Sequence, residues 1–221
     1  MSIKKIIEFN GTMAIKSGVH IGGNGNGTKV GGCDNPVIRN PLTNAPYIPG
    51  SSIKGALRSS AEKMTAYAGK IRNGKPCGCG QETCMVCKLF GAHMNMRAAS
   101  GEPRLIVRDM NLSPDFLDRV MESGGSHSDI IETKASTMID RSTNTAAGGS
   151  LRNMERVAAG AVFDCSFSIK VMDRDNEVEL INFFKKCLSI VEATGIGGKV
   201  TSGSGQVEFD IDWKHPTEVT L

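Results

Sequence analysis

The chain has 221 residues and carries 26 Lys and Arg against 23 Asp and Glu, a formal net charge of +3. That length suits one domain with insertions and buries a sizeable core; so mild a charge names no nucleic-acid partner by itself, although a local basic stripe can still bind phosphates. No stretch is apolar enough to span a bilayer, and residues 1–9 alternate charge with isoleucine instead of forming a secretory leader, so the expectation is a soluble, cytoplasmic protein with no membrane partner.

Residues 3–15 read as a first strand. Ile53, Leu57, Ala61, Met64 and Ala68 recur at helical spacing behind Pro49-Gly50-Ser51-Ser52, which predicts a helix from about Ser52 with a capped start. A cysteine-rich insertion at about 73–100 follows, then a second strand over 104–112 and a polar insertion at about 113–160. The third strand, 162–172, is the clearest, with Phe163, Cys165, Phe167, Ile169 and Val171 on alternate positions. Val178, Ile181, Phe184, Leu188 and Val191 predict a second helix over 177–193, stopped at Gly195. Val207, Phe209, Ile211 and Trp213 predict a last strand with one apolar face. The order strand, helix, strand, strand, helix, strand is that of an α+β, ferredoxin-like (RRM-like) fold. The expectation is a single domain, 1–221, with two projecting insertions.

Seven cysteines, an odd number, four of them crowded into Cys77-x-Cys79-x4-Cys84-x2-Cys87, predict a reducing compartment and a bound metal in place of disulfides. Four soft thiolates among Gly74, Gly78 and Gly80 suit tetrahedral zinc. Such a site has no open position for water, so its role is structural: it holds together an insertion too small for its own core. Unligated cysteines, an iron–sulfur cluster and replacement of one cysteine by His93 stay open as alternatives.

Two glycine-rich loops carry no nucleotide signature. Gly22-Gly23-Asn24-Gly25-Asn26-Gly27-Thr28-Lys29 has Thr and Lys in the reverse of the phosphate-loop order and fits no dinucleotide fingerprint, which excludes a P-loop ATPase or Rossmann enzyme. The loop from Gly195 to Gly205, with Lys199 inside it, can lie along a phosphate backbone. Lys54 and Arg58, four apart, share a helix face near the positive end of the helix dipole. An ordinary solvated face accounts for them equally, a strand-end packing role for His20, and an Asx turn for Asp34 before Asn35-Pro36. Neither a paired carboxylate nor a serine or cysteine triad accompanies Asp34.

Taken in order, Ser17-Gly18-Val19-His20-Ile21-Gly22-Gly23, Asp34-Asn35-Pro36-Val37-Ile38-Arg39-Asn40-Pro41-Leu42-Thr43, Tyr47-Ile48-Pro49-Gly50-Ser51-Ser52-Ile53-Lys54-Gly55-Ala56-Leu57-Arg58, Cys84-Met85-Val86-Cys87-Lys88-Leu89-Phe90-Gly91, Val107-Arg108-Asp109, Ile139-Asp140-Arg141-Ser142-Thr143 and Arg152-Asn153-Met154-Glu155-Arg156-Val157 form a series. Over nearly the whole chain it resembles the repeating backbone subunits of type III-A CRISPR effectors, the third Csm subunit family of the RAMP superfamily. The resemblance implies an RRM-like palm, a thumb projecting around 133–156, and head-to-tail copies forming a filament along CRISPR RNA beside other effector subunits. It also implies metal-dependent (Mg²⁺ or Mn²⁺) cleavage of complementary target RNA at regular intervals, leaving 2′,3′-cyclic phosphate and 5′-hydroxyl ends. In that reading Asp34 is catalytic, His20, Lys54 and Arg58 contact RNA, and Arg141, Arg152 and Arg156 serve the thumb and its base. Where the family carries Gly-Ser-Arg-Gly in the C-terminal loop, this chain has Thr201-Ser202-Gly203, and Lys199 is the cation offered in its place. A backbone that binds RNA without cutting it, and a zinc-stabilised regulator of duplex DNA lacking a convincing recognition helix, are the competing readings.

Overall fold

The computed structural model describes residues 2–23, 33–65 and 74–220. Strand β1 (Ile3–Ile15) turns Ile7, Phe9, Met13 and Ile15 to one side, where all four are buried. Strands β2 (Leu105–Val107), β5 (Val162–Met172), β6 (Val207–Ile211) and β7 (Thr217–Thr220) join it in an antiparallel sheet of order β2-β5-β1-β6, β7 continuing the β6 edge beside β1. Register places Phe9 opposite Phe167 and Met13 opposite Phe163, so the apolar faces of the two central strands coincide. Setting β7 and a separate two-stranded sheet aside, the first and third strands lie at the centre with the fourth and second outside. That is the ferredoxin-like arrangement expected from the element order.

Helices α1 (Gly50–Met64) and α4 (Glu177–Thr194) cover the apolar face and close one hydrophobic core. Phe184 of α4 meets Phe167 edge-on at 5.1 Å, and Trp213, just past β6, lies 5.0 Å from Phe9 and 6.0 Å from Phe184. The opposite sheet face carries Glu8, Asn10 and Thr12 of β1, Asp164, Ser166 and Ser168 of β5, and Glu208 and Asp210 of β6. RRM domains stack bases on aromatic residues of this face. Here, among the described residues, its strands present no aromatic side chain, and Lys170 shares the face with four carboxylates, so it offers no platform for stacked bases.

Several elements differ from the sequence expectation for identifiable reasons. The buried face of α4 is Leu180, Phe184, Cys187, Leu188 and Val191; Val178 is 66 % exposed and Ile181 half-buried, because the helix docks about one position round from the expected stripe. Helix α1 ends at Met64, and Ala68, like 24–32 of the first glycine loop, lies outside the described residues. Within the cysteine segment a short helix, α2 (Met85–Phe90), buries Val86, Leu89 and Phe90. The polar stretch after β2 contains α3 (Pro114–Glu122), started by Pro114 behind Ser113 and half-burying Phe116, Leu117 and Val120. It then forms a hairpin of β3 (Ile131–Ser136) and β4 (Arg152–Val157), a separate two-stranded sheet with mostly exposed residues on β3.

The second strand is shorter than expected mainly at its far end, where regular pairing with β5 gives way past Val107 to isolated bridges of Met110 with Ile48 and Leu112 with Phe163; at its near end Arg104 stays outside. Fully buried, Arg104 instead directs Nε and Nη2 to the Asp175 carboxylate at 2.8 and 3.3 Å and Nη1 to the Ser100 carbonyl at 2.7 Å, bolting the cysteine segment to the β5–α4 turn. Burial pushes the Asp175 carboxyl up, but hydrogen bonds from Arg104 and the Met172 N–H, with the charges of Arg104 and Lys88, outweigh it and hold the carboxyl below the usual carboxylate range. The folded state therefore binds this proton less readily than the unfolded chain. Its stabilisation is complete above about pH 4 and fades as acid titrates the folded carboxyl. Asp175→Asn removes the carboxylate charge paired with a buried guanidinium and is expected to cost about 3–5 kcal/mol; urea unfolding of the variant should show a flatter acid limb than the parent.

Candidate functional site

Strand β4 organises the expected residues. One of its edges pairs with β3, and the other receives two segments: Val19 pairs with Val157, and Asn35 with Met154. The Asp34 Oδ2 atom accepts the Asn153 N–H at 3.0 Å, while the neighbouring Cys33 thiol donates to the Asn153 carbonyl at 3.1 Å. Two residues on, the Glu155 carbonyl receives His20 Nδ1 at 2.8 Å. Two residues span about 7 Å of strand, so Asp34 and His20 sit side by side at the root of the arm. Because Nδ1 faces a carbonyl it must carry the proton, and the other ring nitrogen of neutral His20 is left as an acceptor.

Glu155, which the sequence reading passed over, fastens this assembly. Its Oε2 accepts the Val37 N–H at 3.0 Å and Arg39 Nη2 at 3.0 Å, and its own N–H donates to the Asn35 carbonyl at 3.0 Å. Asp34 is thus exposed yet held by a segment tied down on both sides, with Oδ1 directed to no hydrogen-bond donor among the described residues.

The C-terminal glycine loop closes over the same place. Gly198 N–H donates to the His20 carbonyl at 2.9 Å, and Gly197, at φ 77°, lies so near that carbonyl that a side chain there would collide with it. Lys199 follows directly, exposed, in a left-handed conformation that starts the short 3-10 turn Val200–Ser202. Arg156 bridges the parts: Nη2 pairs with Glu132 of β3 at 2.6 Å and Nη1 donates to Ser204 Oγ at 3.0 Å. The guanidinium lies against Gly18, where any Cβ would run into it and into Glu132. Arg156 is therefore a hinge pin between arm, glycine loop and palm. Arg156→Ala should raise hydrogen exchange across Ile131–Ser136 by about tenfold for each 1.4 kcal/mol of local stability lost.

Lys54 and Arg58 share a helix face as expected, but that face is turned to the cysteine segment and β2, not toward Asp34. Lys54 Nζ donates to the Leu105 carbonyl at 2.8 Å, and burial, helped by Lys170 and Arg58, lowers its pKa. Arg58 donates from Nε to Glu62 at 3.0 Å and from Nη2 to the Cys77 carbonyl at 2.7 Å. The start of α1 is also not an open anion site: Asp109, a residue with no marked role in the residue-level reading, accepts the Gly50 N–H at 2.7 Å. Arg141 and Arg152 are exposed on the arm, Arg152 opposite Ser136 and Arg141 in a turn where Asp140 accepts the Ser142 N–H at 2.8 Å. The distal arm also exposes Met138, Ile139 and Leu151.

The four cysteines converge. Sγ–Sγ separations are 3.7 Å for Cys77–Cys79, Cys77–Cys84 and Cys79–Cys87 and 3.3 Å for Cys77–Cys87, with all four sulfurs within 4.8 Å of one another. A tetrahedral ion with bonds of about 2.3 Å places its sulfurs about 3.8 Å apart, so the arrangement fits zinc. The Gly80 N–H points at Cys87 Sγ at 3.4 Å, a donor that favours the thiolate. His93 stands outside the sulfur cluster and contributes its N–H to the Cys77 carbonyl at 3.0 Å.

No helix among the described residues is long and apolar enough to cross a membrane. The family model of the RAMP superfamily matches residues 12–208. Proteins named CRISPR system Cms endoribonuclease Csm3 are similar almost end to end. The one from Methanothermobacter thermautotrophicus is 33 % identical, over 95 % of this chain and 85 % of its own length; that from Streptococcus thermophilus is 34 % identical, over 92 % and 87 %. In fold, the chain is similar to a chain of a crystallised Csm3–Csm4 subcomplex of the type III-A CRISPR–Cas interference complex (TM-score 0.60, 24 % identity, 100 % of this chain and 90 % of that one). It is also similar to a chain of a type III-B Cmr-β complex bound to cognate target RNA (TM-score 0.62, 16 % identity, 98 % and 61 %). With a family model matched over residues 12–208 and relatives 33–34 % identical over more than nine-tenths of the chain, the chain belongs to the RAMP superfamily and, within it, to the Csm3 family.

Proposed function

We propose that the chain is a CRISPR-RNA-binding backbone subunit of a type III effector that cuts RNA complementary to its guide, with Asp34 as the catalytic residue. The observation that carries this reading is the bond from Asn153 N–H to Asp34. It fixes a solvent-facing carboxylate to the root of an arm whose outer part carries Met138, Ile139 and Leu151. An arm of this kind, inserted between guide and target, unstacks a base pair and kinks the target backbone beside Asp34. That kink brings a 2′-hydroxyl toward the line of attack on its own phosphorus, which supplies much of the rate through orientation alone.

His20, Arg156 and Lys199 surround the root of the arm and serve the RNA backbone there, as do Arg141 and Arg152 along the arm. Lys54 and Arg58 form a second, more recessed basic patch on α1. Among the described residues no donor meets the second carboxylate oxygen of Asp34, which suits Mg²⁺ or Mn²⁺ held mostly by water and phosphate. Such an ion, when bound, neutralises charge developing on the phosphoryl oxygens. Asp34 itself anchors and orients, and attack by a 2′-hydroxyl leaves a 2′,3′-cyclic phosphate and a 5′-hydroxyl. We further propose that the chain acts as one domain, that copies associate head to tail with other effector subunits, and that the cysteine cluster binds structural zinc. Co-purification of the chain with its natural partners, sequencing of the bound RNA and a challenge with complementary RNA, with and without Mg²⁺, tests the reading. Fragments of regular spacing are expected with Mg²⁺ only. Recovery of a complex free of CRISPR-derived RNA would overturn it.

A further inference from the structure

Glu62 is a carboxylate in an environment where water covers little of it: it is 7 % exposed. A buried carboxylate needs donors, and its Oε1 has two, the Cys77 N–H at 2.8 Å and Arg58 Nε at 3.0 Å. Arg58 closes the ring by donating Nη2 to the Cys77 carbonyl at 2.7 Å. Two side chains one turn apart on α1 thus grip both main-chain polar groups of the first cysteine of the cluster. The same residue places its sulfur 3.3 Å from that of Cys87 and 3.7 Å from those of Cys79 and Cys84. A rotation of Cys77 that spoils the sulfur tetrahedron also withdraws the carbonyl and N–H that seat Arg58 and Glu62. Lys54, one turn back on the same helix face, shares the local charge balance with Arg58.

We infer that Glu62 is a positioning residue that couples the cysteine metal site to the α1 cations, so that metal occupancy and guide-RNA affinity rise and fall together. This rests on the reading of Arg58 and Lys54 as RNA contacts. Coupling of this kind is reciprocal: if zinc strengthens RNA binding by some factor, RNA strengthens zinc binding by the same factor. Glu62→Gln retains an acceptor for the Cys77 N–H but removes the charge that orients Arg58, and outer-shell changes of this sort weaken metal binding roughly 10- to 100-fold.

The test uses the full chain loaded with zinc. Metal transfer to a chromogenic chelator is timed with and without a single-stranded RNA oligonucleotide, and RNA affinity is measured for the parent, Glu62→Gln and Arg58→Ala. The expected results are zinc loss at least about tenfold faster in Glu62→Gln, weaker RNA binding by that variant while still zinc-loaded, and RNA protection of zinc in the parent that Arg58→Ala abolishes. Thermal unfolding of zinc-loaded Glu62→Gln separates this from a general loss of structure: a tenfold loss of zinc affinity converts to about 1.4 kcal/mol and a fall of a few degrees in melting temperature, whereas a much larger fall would mark general unfolding and overturn the positioning role. If Arg58→Ala weakens RNA binding but RNA leaves zinc release unchanged, the coupling is wrong and the RNA reading stands. If Arg58→Ala binds RNA like the parent, the RNA reading of Arg58 is wrong and the coupling falls with it.

Discussion

Asp34→Asn is expected to leave guide loading and the melting temperature of the reconstituted complex unchanged and to lower target-RNA cleavage by roughly a thousandfold, the scale of removing one preorganised electrostatic contact in a reaction centre. The amide oxygen of asparagine can still accept the Asn153 N–H, so the anchoring to β4 survives while the charge on the free side is lost. Asp34→Ala differs in kind: it also strips the acceptor, costs about 1 kcal/mol of local stability, and loosens the segment that Glu155 holds. Comparing the two separates charge from anchoring. Single-turnover cleavage of a complementary RNA at saturating Mg²⁺, with guide RNA quantified in each preparation, is the measurement. An asparagine variant that cuts at the parent rate would remove Asp34 from the chemistry and favour a backbone that binds RNA without cutting it.

The palm was legible in the sequence because its strands alternate strictly. Phe163 to Val171 in β5 and Val207 to Ile211 in β6 could be assigned to a face from composition alone, and the order of elements then fixed the sheet order. Helix α3 was not read because its apolar residues, Phe116, Leu117 and Val120, occupy only two turns and are only half-buried. The Ser113-Pro114 start was the available signal. From the residues the arm was legible only as a projecting insertion, and as a thumb only through the family resemblance, since β3 and β4 bury little and so carry little hydrophobic pattern. Among site residues, the four cysteines spoke for themselves through spacing, whereas Asp34 and His20 meet through main-chain atoms of Asn153 and Glu155, more than a hundred residues away. No local pattern encodes such a meeting. For the same reason Glu155 and Asp109 escaped notice, each a carboxylate whose partners lie on distant segments; Glu62 pairs locally with Arg58, but its bond from the Cys77 N–H, which ties α1 to the cysteine segment, has no local signature.

Removal of the metal is expected to have the largest effect on stability. Structural zinc in small domains contributes an apparent binding free energy of about 10–16 kcal/mol, much of it folding free energy. Here the cluster also anchors the segment whose far end Arg104 bolts to Asp175. Cys87, fully buried, approaches both Cys77 and Cys79, so Cys87→Ser withdraws a thiolate from the centre of the cluster and substitutes an oxygen on a shorter reach. The variant is expected to lose its stoichiometric zinc, and if only about 5 kcal/mol goes with it, the melting temperature falls by about 10–20 °C for a domain of this size. Cys187→Ala is the matched control. Burial pushes the Cys187 thiol up to about 12, which keeps it a neutral core side chain on the buried face of α4. Its removal leaves a small cavity and costs about 1–2 kcal/mol, while zinc content stays that of the parent. Zinc measured by elemental analysis alongside calorimetry decides the matter: one zinc per chain retained in Cys87→Ser would remove Cys87 from the ligand set, and a parent that purifies without zinc and melts unchanged after chelation would mean that the four sulfurs pack as thiols and hold no metal.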